Sequence, residues 1–394
     1  MSKEVVLCTG KRTPFGDYGK SLAAIKGTDL GIHAAKACLD AAGIAAEKVD
    51  HLVCGNVFPV DQGGYFSSRV IGLGCGMRED SRALNVSRAC GSGTQAIVSA
   101  AEQIISGHSS IALAGGFENT SRAPYVLTDS RWGMKRGAGT IIDSLDYGYR
   151  DPFDLTLMGG TAETLADEFG YNREDMDVYA LTSQQRAAAA IESGFLARQI
   201  APIMVPERRG ERLFETDEFP RPGVTLEKLA SLKPCFRKEN GRVTAGNSSG
   251  MTDGAAFLVI ADRASAEAEG LIPRARLLDW EIIGVPPRIM GCGPVPAIER
   301  LLARRSLTVD DIDYYEINEA FAAVNLHAEV QLGISRDKTN LYGGGISIGH
   351  PPGATGIRMA LTAMDHLDDT SGGMAVLSMC LGAGQGMAVL IERI

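Results

Sequence analysis

Short apolar runs alternate with longer stretches of helical periodicity along most of this chain. Val5-Val6-Leu7 reads as a buried strand. Residues 29–42, DLGIHAAKACLDAA, carry apolar positions at helical spacing and predict a helix. Residues 51–57, HLVCGNV, return to a strand, 92–107 predict a helix, and Ile111 to Ala114 a further strand. The rhythm recurs near the C-terminus. Residues 312–317, IDYYEI, take the place of the strand at 51–57; Asn340 opens a Gly-rich turn and helix as Asn85 does; residues 374–380, MAVLSMC, mirror the strand at 111–114. Such alternation predicts an α/β fold with a largely buried sheet. The matching order of the two halves predicts an internal duplication.

Residues 119–250 have a different texture, with many charges and irregular Gly and Pro placement. One helical pattern runs from Arg173 to Ser193. The stretch FPRPGVTLEKLASLKP predicts an extended loop with a short helix. This region is expected to be an insertion over one face of the core, where substrate-binding loops sit. The expected division is 1–118 with 251–270 as an N-terminal core, 119–250 as a loop domain, and 271–394 as a C-terminal core.

Composition narrows the function. At 45% hydrophobic and 22% charged, the 394 residues are ordinary globular protein, long enough for more than one core. A net charge of −9, with no long Lys/Arg run, argues against a nucleic-acid binder. A polyanionic ligand would need a local basic patch. No apolar stretch reaches the ~18 residues of a membrane span. The N-terminus MSKEVVLCTGKRTPFGDYGKSL lacks a secretory signal's apolar region, so a cytoplasmic location is expected. Cysteines 8, 38, 54, 75, 90, 235, 292 and 380 form no CxxC pair. That excludes a zinc site or disulfide framework and fits a reducing compartment. No metal is expected.

Four segments carry candidate chemistry. In NVSRACGSGTQAIVSAAEQII, residues 85–105, Cys90 falls where a strand pattern stops and a helix begins. A thiol there meets unpaired amides and the positive end of the helix dipole, which lower its pKa and suit a nucleophile. His350 stands on the Gly-rich turn of YGGGISIGHPPGATGIRMA, where it can hold a proton near neutral pH. Cys380, in SMCLGAGQGMAVLIERI, ends an apolar strand at a turn whose glycines let amides approach a ligand oxygen. In YYEINEAFAA, Asn318 and Glu319 follow a strand and open a helix; Asn318 can cap that helix, hold a water or donate to an oxyanion.

Taken together these segments resemble the thiolases, the group of acetyl-CoA C-acetyltransferases and 3-ketoacyl-CoA thiolases. The resemblance runs from RTPFG to CLGAGQG through GNV, CGSG, SRAPY, TAGNSSG, GPVPA, NEAFA and GHPPGATG, in order. It implies the thiolase fold: two duplicated βαβαβαββ core domains with their helices sandwiched, plus an inserted loop domain. It also implies a reversible Claisen condensation, or CoA-dependent thiolysis, through a covalent acyl-enzyme. By resemblance Cys90 carries the acyl group, His350 activates it, and Cys380 moves the α-proton. One oxyanion hole matches His350 plus a water held by Asn318; the other matches the amides of Cys90 and Gly382. Arg221, Ser249 and Phe321 match substrate and CoA contacts, and Met158 and Met290 match an acyl pocket.

Coenzyme A and acyl-CoA are implied as substrates, with no resident cofactor. Family members are homodimers or homotetramers, and the SIALAGG strand and the loop at 122–142 are the expected contact elements. A carrier-protein-dependent decarboxylating synthase is the competing enzyme reading, and the second cysteine, Cys380, speaks against it. The chain departs from the short-chain branch at Leu157, where His is common, at Tyr342, where Asn is common, and at Pro352, where Ile or Leu is usual. All three departures put acyl-chain preference in question.

Overall fold

A computed structural model describes residues 3–394. The N-terminal strand signals become β1 (Val5–Arg12), β2 (His51–Gly55), β3 (Arg82–Val86), β4 (Ile111–Glu118) and β5 (Thr252–Asp262). The C-terminal ones become β6 (Ala275–Gly284), β7 (Tyr314–Ile317), β8 (Met374–Leu381) and β9 (Gln385–Arg393). They form a continuous sheet in the order β7-β8-β9-β6-β1-β5-β4-β2-β3. Each half repeats one pattern. β2 runs parallel to β4, and β7 parallel to β8. The last strand of each half returns antiparallel between its neighbours, β5 between β4 and β1, and β9 between β8 and β6. The halves meet where β1 pairs with β6 at Val6–Arg276 and Leu7–Ala275.

Helices cover this sheet in layers. They are α1 (Gly27–Ala42), α2 (Ser67–Gly74), α3 (Ser92–Ile105), α4 (Met158–Phe169), α5 (Arg173–Glu192), α6 (Pro294–Arg304), α7 (Ala322–Leu332) and α8 (Pro352–Thr370). α1 lies on β1, β4 and β5, and α6 on β6, β8 and β9. α3 and α8 pack on each other between the halves; α8 touches β4 and β5 as well as β7 and β8. Its residues from Pro352 to Leu367 are accordingly all buried, polar ones included. The buried Arg358 in it is paired with the equally buried Glu316 of β7.

Glycine sets how closely the two central helices approach. A Cβ at Gly356 would lie 2.2 Å from the Thr94 nitrogen, and one at Gly93 2.7 Å from the Gly353 carbonyl oxygen. Only hydrogen fits at either position, so the first turns of α3 and α8 meet backbone to backbone.

Three expectations are corrected. Asn340 does not open a helix as Asn85 was expected to: Asn85 lies within β3, while Asn340 is left-handed (φ 47°) and α8 starts only at Pro352. The C-terminal counterpart of β3 has shrunk to the parallel bridge between Tyr315 and Thr339. The SIALAGG strand is not a contact element, because β4 is wholly buried and paired on both sides. The open edge is β3, with Leu84 exposed, and in the 122–142 loop Tyr125, Leu127, Trp132, Met134 and Ile141 are exposed. Finally, the 119–250 segment holds an unforeseen helix, α4, beside the expected α5 and the short helix Leu226–Ala230. Among the described residues no helix is long and apolar enough to cross a membrane.

Candidate active site

The parallel strands end on one side of the sheet, and the loops beyond them build the site, as in other open α/β sheets. β3 stops at Val86, α3 begins at Ser92, and Ala89 between them takes a left-handed φ of 43°. A non-glycine in that region stores strain and marks a tightly specified turn. Cys90 follows, partly exposed, on the wall of a cavity of about 680 Å³. Its thiol contradicts the expected low pKa. Burial raises it, the amides of Gly382 and Cys90 itself, which reach the sulfur, lower it, and Glu118 raises it again. Desolvation prevails because the two halves close over the turn.

His350 precedes α8 and lines the same cavity. Its Nδ1 lies 2.7 Å from Thr355 Oγ1, and that hydroxyl donates to the Pro351 carbonyl at 2.9 Å. The hydroxyl proton being committed, Thr355 accepts from Nδ1–H. The lone pair is thereby assigned to Nε2, which faces Asn318 Nδ2 at 3.4 Å. Burial, aided by the Arg358 cation, lowers the His350 pKa to about 3. The imidazole is therefore neutral at pH 7, not poised near neutrality as expected, and can accept a proton from a neighbouring thiol.

Asn318 is fully buried just beyond β7. It caps nothing: α7 begins at Ala322 with Phe321 as its N-cap residue. Its Oδ1 is buried with no partner among the described residues. Cys380 lies near the end of β8, completely buried. Burial raises its thiol pKa far above normal, and the Cys90 thiol raises it further, so the two sulfurs feel each other. A Cβ on Gly382 would touch Met158 Sδ at 3.5 Å and Ala89 Cβ at 3.8 Å, which places Gly382 against the Cys90 turn.

Two buried carboxylates hold these turns in place, and neither was singled out for this from sequence. Glu319 accepts from Tyr179 Oη (3.1 Å), Ser183 Oγ (2.6 Å), Asn340 Nδ2 (3.1 Å) and Ile346 N (3.1 Å), tying α5 to the turn before His350. Glu118 accepts from Asn56 Nδ2 (2.8 Å), Val57 N (3.1 Å), Phe58 N (2.8 Å) and Gly353 N (3.1 Å), joining the GNV loop to the first turn of α8. Burial pushes Glu118 up to about 8, its amide donors only partly opposing this.

Leu157, Met158, Met290, Ser249, Phe321 and Arg221 all line the cavity. Leu157 and Met158 do so at the start of α4. Arg221 lies half exposed, its Nη2 2.8 Å from Asp17 Oδ2 and its guanidinium over the Phe219 ring. Tyr342 and Pro352 stand elsewhere: Tyr342 stacks on Phe195 and bonds His366 Nδ1 at 3.0 Å, and Pro352 begins α8. Of the three departures only Leu157 reaches the cavity. Sequence reasoning missed Thr355, five residues beyond His350, and Tyr149, in a stretch without motif.

Comparison with known proteins completes the description. Residues 5–264 match the family model for the thiolase N-terminal domain and residues 271–393 that for the thiolase C-terminal domain. The chain is 42% identical to the beta-ketothiolase BktB of Cupriavidus necator over 100% of both chains. It is 41% identical to the mitochondrial 3-ketoacyl-CoA thiolase of Bos taurus over 99% of this chain and 98% of that one. It superposes on the crystal structure of human mitochondrial 3-ketoacyl-CoA thiolase with a TM-score of 0.97 at 40% identity, covering 100% and 99% of the two chains. The human enzyme in complex with CoA gives 0.96 at 40% identity, covering 100% and 98%.

Proposed function

The chain belongs to the thiolase family of acyltransferases, and from that premise we propose that it interconverts 3-ketoacyl-CoA and CoA with two acyl-CoAs through an acyl group carried on Cys90. In thiolysis, His350 Nε2 takes the Cys90 proton and the thiolate attacks the 3-keto carbon. The bond to the α-carbon breaks, and Cys380 gives its proton to the departing carbanion. CoA, giving its thiol proton to the Cys380 thiolate, then attacks the acyl-Cys90 thioester, and the Cys90 thiolate leaves and retakes its proton from His350. Condensation is the same path reversed, with Cys380 taking the α-proton. A thiolate nucleophile and a thioester suit each other in both directions. The amides of Cys90 and Gly382 would stabilise one oxyanion, and His350 with Asn318 the other.

One observation carries this reading: a neutral His350, its Nε2 unprotonated, lines the same cavity as Cys90. CoA acts as substrate and not as a resident cofactor, its pantetheine passing Ser249 and its phosphates lying near Arg221; that CoA binds is supported by the human relative solved in complex with it. Acyl groups longer than acetyl are accepted, in keeping with the apolar wall of Leu157, Met158 and Met290. The open edge of β3 and the exposed apolar loop at 122–142 favour a homodimer or homotetramer. Eight unpaired cysteines favour a reducing location such as the cytoplasm.

The test is labelled acetyl-CoA given to two variants. Cys90→Ser should form no labelled adduct. Cys380→Ser should acylate Cys90 yet make no acetoacetyl-CoA. Near-normal turnover by Cys90→Ser would refute the mechanism. A thiolysis panel of 3-ketoacyl-CoAs of increasing length, read as kcat/KM, sets the acyl range.

A further inference from the structure

Beside the catalytic pair Cys90 and His350, the cavity is lined largely by apolar side chains such as Leu157, Met158, Met290 and Phe321, and Tyr149 brings a hydroxyl among them. The ring of Tyr149 packs on Phe58 at 5.6 Å between centroids, tilted by 51°. Its carbonyl accepts from Met158 N at 2.8 Å, which ties it to the residue lying against Gly382. It therefore borders the acyl end of the site, away from Arg221 and Asp17 at the mouth. Tyr149 lines the same cavity as Cys90, Met158 and His350, and burial raises its phenol's pKa, with Glu118 and Cys90 raising it further. Among the described residues no group bonds that hydroxyl, and it is not one of the partnerless polar atoms sealed inside the protein: it is open to the cavity. Tyr149 lines the cavity, where a bound acyl chain can meet it.

A hydroxyl closed in by a plain alkyl chain loses water and gains nothing in return. A chain bearing an oxygen at that depth gives it an acceptor. The difference is large where the site is dry, since a buried polar group left unpaired is costly. Charge narrows the class. Apart from His350, Arg221 is the only basic residue among the described residues that line the cavity, and it is held by Asp17. A carboxylate on the acyl chain would be buried without a counter-ion.

We propose that the Tyr149 hydroxyl is a specificity determinant that selects acyl chains carrying a neutral oxygen, a hydroxyl or an ether, over alkyl chains of equal length. The inference rests on the acyl-transfer reading above.

The experiment compares thiolysis of three 3-oxoacyl-CoAs of one length, ending in methyl, hydroxymethyl and carboxylate, by wild type and by Tyr149→Phe. Tyr149→Phe keeps the ring on Phe58 and removes one oxygen; its thermal melt checks folding, and Tyr149→Leu serves as a second variant. The wild-type kcat/KM ratio of hydroxymethyl to methyl should exceed unity by about tenfold and fall by about 10- to 100-fold in Tyr149→Phe. The carboxylate chain should be the poorest of the three. An unchanged ratio in both variants, or a preferred carboxylate chain, overturns the proposal, as does wild type that cleaves acetoacetyl-CoA but favours methyl. Inactivity of wild type on every chain, acetoacetyl-CoA included, would instead bring down the acyl-transfer reading and this inference with it.

Discussion

Replacing Thr355 by valine tests the tautomer of His350 with almost no change of shape. The hydroxyl accepts from His350 Nδ1–H at 2.7 Å and donates to the Pro351 carbonyl at 2.9 Å, in a fully buried position. Valine leaves Nδ1–H facing a methyl group. An unmade hydrogen bond to a buried donor costs about 1–3 kcal/mol. The imidazole can escape that cost by moving its proton to Nε2, where the partnerless Asn318 Oδ1 can turn to accept it. In that tautomer Nε2 no longer takes a proton from Cys90. The same 1–3 kcal/mol then appears as a fall of about 5- to 150-fold in kcat. KM should move far less, because Thr355 lines no part of the cavity. The assay is acetoacetyl-CoA thiolysis with kcat and KM resolved, beside a thermal melt. Thr355→Ser, which restores the hydroxyl, should recover most of the rate. Full activity in Thr355→Val, or equal loss in both variants, would show that the hydroxyl does not set the tautomer.

Glu319→Gln puts an amide among four donors to one carboxylate, so it should lower the melting temperature and kcat together, by about 1–3 kcal/mol in stability, measured by urea unfolding. Gly356→Ala forces a methyl to within 2.2 Å of the Thr94 nitrogen and should push α3 and α8 apart; about 1–3 kcal/mol or more of stability should go, with activity falling further than an equally destabilising change in α1. Because burial raises the Cys90 thiol, its alkylation by iodoacetamide should climb into the alkaline range without a plateau at pH 7. His350 titrates near 3 when folded and near 6.5 when unfolded, so the unfolded chain binds the extra proton between those values. The stability from this group is present above pH 6.5 and lost as pH falls toward 3. Urea melts at pH 7, 5.5 and 4 should show that slope, and His350→Asn should reduce it.

The strand and helix order was legible because apolar runs bounded by glycine pair with local propensity, as at β4 and α3. Cys90 and His350 were legible as candidates because each stands on a glycine-flanked turn ahead of a helix, and Cys380 because it closes an apolar strand just before a glycine-rich turn. Their protonation was not. Local reasoning placed Cys90 at a helix start and concluded a low pKa, but α8 and the C-terminal half close over it and desolvation prevails. Thr355 gives no signal of its own; its role exists only because His350 folds back on the first turn of α8. Asn318 was misplaced as a possible cap because Asn near a helix start usually is one, whereas here the backbone makes a further turn before Ala322. Tyr149 lay hidden in an irregular stretch that becomes part of the cavity only when α4 docks.

The equivalent places of Cys90 and His350, one ahead of α3 and one ahead of α8, have a consequence for how such a site can arise. Two identical half-chains related by a two-fold axis would present the same residue at both positions, two thiols or two imidazoles, but never one of each. Joining the halves in one polypeptide lifts that constraint. Each copy can then drift on its own, one keeping a full edge strand at Arg82–Val86 while the other retains only the Tyr315–Thr339 bridge. Acid–base partnership across a pseudo-symmetric seam is thus a product of fusion, and neither half, cut free, carries a complete reaction centre.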